Sequence, residues 1–126
     1  MAHQHPPRFL KIVDDAKTRV RETNVDAIKT KMDRGDKFVL VDVREESEYH
    51  GELGHIAGAR LIPLKELPER TGELGDARSS DIVAICRVGV RSATAAAILT
   101  GLGFEHVWNL KGGMIEWKDA QLPVER

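Results

Sequence analysis

The spacing of apolar residues changes along the chain, and each change marks an element. FVLVDV (38 to 43) and DIVAIC (81 to 86) are short continuous apolar runs rich in β-branched residues, which suits strands covered on both faces. ARLIPL (59 to 64), halted by Pro63, and EHVWNL (105 to 110) read as two further strands. Between these runs the spacing becomes helical. Phe9, Leu10, Val13, Ala16 and Val20 recur on one face from Pro6 to Val20, predicting an amphipathic helix that docks on the rest. VDAIKTKMD (25 to 33) places Val25, Ile28 and Met32 on one face, with Asn24 as its N-cap and Gly35 as its stop. SATAAAILTGLG (92 to 103) reads as a helix closed by glycines, and GGMIEWKDA (112 to 120) as a last helix.

The segment 45 to 59 reads as a short helix or turn and then a glycine-punctuated loop, and 65 to 81 as a polar connection with one helical turn. Strands alternating with helices predict an α/β domain with a mainly parallel central sheet. The expected division is an N-terminal helical extension over 1 to 24 and one domain over 25 to 126.

Composition narrows the function classes. A chain of 126 residues, 41% hydrophobic and 31% charged, fits one packed domain. Its 19 basic and 20 acidic residues are interspersed, so no nucleic-acid stripe or polybasic membrane patch is expected. A single cysteine forms no internal disulfide, and the cysteine pairs of a structural zinc site are missing. The start has no apolar h-region, and no run approaches the roughly 20 apolar residues of a membrane span, so a cytoplasmic setting is expected.

The candidate chemistry lies in CRVGVRS, residues 86 to 92. A lone cysteine closing a strand is more often inert packing than a nucleophile. Here, however, Cys86 stands at the carboxyl end of a parallel strand, where open sheets bind ligands. Gly89 permits a tight turn after it, and a helix starting near Arg91 or Ser92 would aim free N–H groups at the same point. Such groups stabilise a thiolate, and Arg87 and Arg91 add positive charge. A nucleophilic Cys86 beside a small anion is the expectation. Arg91 has two readings: it touches the substrate, or it turns away and pairs with an acidic residue under the loop.

CRVGVRS resembles the active-site loop of the rhodanese superfamily, in which a cysteine opens a six-residue cradle. VDVREESEY (41 to 49), GHIAGARLIP (54 to 63) and LKGGMIEW (110 to 117) are similar to other segments of that family, in the family's order. The resemblance covers about residues 25 to 124 and implies a rhodanese-like fold. It also implies sulfur transfer through a persulfide on Cys86, with Arg87, Val88, Gly89, Val90, Arg91 and Ser92 forming the cradle. The donor would be a small anion such as thiosulfate. The acceptor would be cyanide in an assay and a thiol or protein in the cell. No metal or organic cofactor is implied.

Cysteine phosphatases and arsenate reductases place five residues between Cys and Arg, whereas four separate Cys86 from Arg91. The shorter ring favours one sulfur atom over a tetrahedral oxyanion. The third reading is a non-catalytic binding or regulatory module of the same fold. Asp42 and Arg44, on one side of the first long strand, are expected to tie the loop that follows. Arg44 and Glu48, four apart, would make a surface pair if that stretch is helical. His55 is expected to hydrogen-bond within its loop, and Trp108 and Trp117 to belong to the core.

Overall fold

A computed structural model describes residues 20–75 and 77–126. Apart from Val20, the expected first helix lies outside the described residues. The chain runs β1 (Arg21–Thr23), α1 (Val25–Arg34), β2 (Val39–Asp42), α2 (Glu46–Tyr49), β3 (Arg60–Leu61), α3 (Leu67–Arg70), β4 (Asp81–Ile85), α4 (Val90–Gly101), β5 (His106–Leu110) and α5 (Gly113–Asp119). Tight 3-10 turns at Leu64–Glu66, Thr71–Leu74 and Ala77–Ser79 fill the connection between β3 and β4 around α3.

The five strands lie in the order β1-β5-β4-β2-β3, and every pairing is parallel. The expected α/β class with a parallel sheet is what the chain adopts. Strand β1 was not expected: Arg21, Glu22 and Thr23 pair with Trp108, Asn109 and Leu110 on β5, inside the stretch read as a helical extension. Three polar residues carry no strand periodicity, so only the neighbouring edge reveals them.

Local signals set the helix ends. The Asn24 side chain accepts from the Ala27 N–H at 2.9 Å, and the Gly35 N–H closes α1 on the Lys31 and Met32 carbonyls. Alternation along β4 divides the core between the two faces of the sheet. Ile82 and Ala84 join Val41, Leu67, Ala96, Leu99 and Phe104 under α4. Val83 and Ile85 join Ile28, Leu40, Leu110, Met114 and Trp117 under α1 and α5. Trp117 is fully buried, and its indole N–H donates to the Pro123 carbonyl at 2.9 Å. Trp108 is only half-buried, lying beneath Arg21 of β1 at 5.3 Å. No helix among the described residues is long and apolar enough to cross a membrane.

Candidate active site

Strand β4 delivers Cys86 to the carboxyl edge of the sheet, where the residue is 1% exposed. The chain then turns through Arg87, Val88 and Gly89 into α4, which begins at Val90, slightly earlier than expected. Gly89 caps α4 at φ 98°, a left-handed conformation that side chains resist. A Cβ there would also approach the Gly112 nitrogen at 3.3 Å. The turn therefore depends on glycine both for its backbone angle and for its closeness to the loop before α5.

Its result is convergence on one atom. The Gly89 N–H donates to Cys86 Sγ at 3.0 Å, and Ser92 Oγ lies 3.2 Å from the same sulfur. Burial pushes the Cys86 thiol up. Hydrogen bonding between the ionised sulfur and the Ser92 side chain, together with the N–H groups of Ser92, Gly89 and Val88, outweighs it, so the thiol ionises below its ordinary value. The start of α4 supplies these groups with its positive end turned towards the sulfur.

The floor of the turn is equally built. The N–H groups of Met114 and Ile115, in the first turn of α5, donate to the carbonyls of Cys86 at 2.9 Å and Arg87 at 3.1 Å. Gly113 makes that approach possible, because a Cβ there would lie 2.4 Å from the Cys86 carbonyl oxygen. The glycine pair expected to open the last helix is thus also what seats that helix beneath the cysteine.

The residues predicted for the cradle divide by direction. Ser92 is fully buried and faces the sulfur, while Val88 and Val90 are exposed at its rim. Arg87 is exposed and reaches a cleft of about 180 Å³ shared with Ser47, Glu48, Glu52 and Leu53. A wider cleft of about 450 Å³, between Arg21, Phe104 and Val107, lies towards the opposite edge of the sheet, away from this chemistry. Arg91 turns away from the sulfur. Its two terminal nitrogens grip both oxygens of Glu48 at 2.7 and 2.9 Å, the second of the two readings for this residue. That fork holds the Glu48 carboxyl down at about 2, and Glu48 in turn raises the Arg91 guanidinium.

Glu48 therefore does not pair with Arg44 as a surface ion pair. Arg44 is buried and forks onto the buried Asp42 through Nε at 2.9 Å and Nη2 at 2.8 Å. Its remaining donors reach the carbonyls of Gly54 at 2.7 Å and Glu48 at 3.3 Å. Asp42 and Arg44 tie the loop after β2, as expected. His55 also acts within its loop: it stacks on Tyr49 at 3.6 Å, and its Nδ1 lies 2.8 Å from the Tyr49 carbonyl.

One residue of the site escaped the sequence. Asn109, near the end of β5, is buried beside the cradle. It accepts from the Ser92 hydroxyl through Oδ1, and its Nδ2 donates to the Gly89 carbonyl at 3.1 Å and to Glu22 at 3.2 Å. An amide side chain set between Trp108 and Leu110, on the strand next to the one that leads to Cys86, was the available signal.

A parallel sheet with a cysteine-headed amide cradle between β4 and α4 defines a class of α/β domain in which one cysteine at a strand end faces backbone N–H groups. Residues 24–120 match the family model of the rhodanese-like domain, and the chain belongs to that family. It is 33% identical over 105 residues to a sulfurtransferase of Allochromatium vinosum, covering 83% of this chain and 94% of that protein. The rhodanese-like domain of an Anabaena protein superposes with a TM-score of 0.73 at 32% identity, over 82% of this chain and 77% of that one. A Rhodopseudomonas palustris protein of unknown function, described as a possible tyrosine phosphatase, matches with a TM-score of 0.69 at 25% identity, over 99% of each chain. The chain spans 51% and 61% of the length of the first two Bacillus subtilis relatives it matches. Family membership and the sulfurtransferase relative support a role in sulfur transfer.

Proposed function

We propose that the chain is a cytoplasmic sulfurtransferase that carries sulfur as a persulfide on Cys86. The observation that carries this reading is the convergence of N–H groups on Cys86 Sγ, with Arg91 held away on Glu48. The Cys86 thiolate attacks the sulfane sulfur of a small anionic donor such as thiosulfate. A bond forms between the two sulfurs, the donor's own S–S bond breaks, and sulfite leaves with the electron pair. The cradle's N–H groups stabilise the anionic persulfide as an oxyanion hole stabilises developing charge. A thiol, a protein acceptor or assay cyanide then attacks the outer sulfur and restores the thiolate. With no second cysteine in the sequence, release goes to an external acceptor.

In this reading Arg87 attracts the donor, Gly89 and Val88 bind through their N–H groups, Val90 and Arg91 frame the cradle, and Ser92 supports the sulfur. Neither a metal, nucleic acid nor a membrane enters the chemistry. The rival is phosphoryl or arsenate chemistry, and the possible tyrosine phosphatase among the structural relatives favours the phosphoryl form of it. Against it stand the four-residue spacing and Arg91, whose guanidinium is spent on Glu48 rather than free to clamp an oxyanion.

Incubation with thiosulfate should add one sulfur atom to Cys86 by mass spectrometry, and Cys86→Ala should abolish both the adduct and thiocyanate formation from cyanide. Full activity in that variant, or aryl phosphate hydrolysis faster than sulfur transfer in the unmodified protein, would overturn the proposal.

A further inference from the structure

Asn109 has a role that follows from counting hydrogens. Its Nδ2 faces two acceptors, the Gly89 carbonyl and the Glu22 carboxylate, and neither has a proton to give. This fixes the amide orientation, so Oδ1 must be the atom that faces Ser92. Oδ1 is an acceptor only, and Ser92 therefore gives it the single proton that a hydroxyl carries. What Ser92 Oγ turns towards Cys86 is then a lone pair, 3.2 Å from the sulfur.

A lone pair suits a thiol, whose S–H can donate to it. It does not suit a thiolate, which has nothing to donate and needs a donor in return. We infer that Asn109 is a positioning residue that holds the Ser92 proton away from the sulfur, so that forming the Cys86 thiolate requires the Ser92 hydroxyl to swing from Asn109 Oδ1 to Sγ. The sulfur's proton goes to solvent. The Ser92 proton stays on Oγ throughout and only exchanges one acceptor for another. In the thiolate state Asn109 Oδ1 loses its donor while buried, which penalises that state. The Gly89 N–H binds the sulfur in both states, since it does not depend on Ser92.

This arrangement gives the two neighbours opposite signs. Ser92 helps the thiolate once it has turned, whereas Asn109 opposes the turn. The other charged groups around the sulfur have their own settings: Arg91 of α4 lies on Glu48 of α2, Asp42 pairs with Arg44 at the end of β2, Glu22 of β1 accepts from Asn109, and Arg87 is exposed on the loop. The inference rests on Cys86 as the reactive group proposed above, but not on sulfur transfer itself. Iodoacetamide alkylation of Cys86 tests it whether or not any persulfide forms.

The alkylation rate, followed by intact mass against pH, gives the ionisation midpoint of Cys86. Asn109→Leu, which keeps the volume and removes the amide, should lower the midpoint by about one pH unit, and Ser92→Ala should raise it by about one unit. A purely structural role would loosen the cradle and raise the midpoint in both variants. A midpoint that stays put or rises in Asn109→Leu overturns the inference. If Asn109→Leu does not fold, the unmutated protein decides. The side-chain amide resonances of Asn109 should shift with the same midpoint as Cys86 and stay still in Cys86→Ala. Resonances that ignore the Cys86 midpoint overturn the inference equally.

Discussion

Strands β2 and β4 are neighbours in the sheet, and both carry polar chemistry to their carboxyl ends, yet the two ends behave differently. After β2, Arg44 and Asp42 satisfy one another, and the arginine's other donors find carbonyls of the following loop. After β4, backbone donors converge on a sulfur that no basic side chain contacts among the described residues. One end uses its charges to close a structure. The other leaves amides aimed at an atom that can change its charge. A charged pair at a strand end is therefore not itself a sign of catalysis, because a buried pair whose members bind each other and the neighbouring carbonyls serves the fold first.

The largest expected effect lies on the closed side. Arg44→Ala strands the buried Asp42 carboxylate and should cost about 3 to 5 kcal/mol in urea unfolding, the usual penalty for breaking a buried pair. Adding Asp42→Leu to that variant should recover part of the loss. Equal losses in the single and double variants would show that the pair is not coupled. The folded fraction of Arg44→Ala should still alkylate at Cys86, which separates stability from reactivity.

Glu48→Gln probes the boundary between the two ends, since Glu48 holds Arg91 from one and lends its carbonyl to Arg44 of the other. With side chains 36% and 30% exposed, solvent screens the pair, and the loss at pH 7 should be about 1 kcal/mol. The folded carboxyl titrates near 2, below its ordinary 4.5, so the pair's contribution is present above about 4.5 and disappears as the pH falls towards 2. Urea midpoints of the variant and the unmutated protein should accordingly converge over that window. A gap that persists at pH 2 would assign the stability to something other than the charge.

The smallest effect belongs to the open side. Arg87→Ala should raise the KM for thiosulfate about two-fold, as one exposed charge worth about 0.4 kcal/mol would, with added salt erasing the difference. An unchanged KM at low salt would remove Arg87 from donor attraction.

Long, strongly patterned elements were legible in the sequence, including α1 with both caps and the strands β2, β4 and β5. So was the cysteine at the strand end. The orientation of Arg91 was not, because its partner Glu48 lies 43 residues earlier and spacing within CRVGVRS says nothing about direction. Strand β1 and Asn109 were missed together, for one physical reason. Each is defined by what the sheet sets beside it: Glu22 and Asn109 are register partners and hydrogen-bond to one another. Pairing across such distances leaves no local period to read.

The seat that α5 makes beneath the cysteine has a directional meaning. A trans peptide unit is planar and carries its carbonyl and its N–H on opposite edges. Gripping the Cys86 and Arg87 carbonyls from below therefore fixes which way the N–H groups of Arg87 and Val88 point. The amides at the top of the loop keep their aim because a separate helix, reached only after the whole of β5, holds the other edge of the same planes. A change at Gly113, far along the chain, would act on Cys86 by turning those planes, without touching the sulfur.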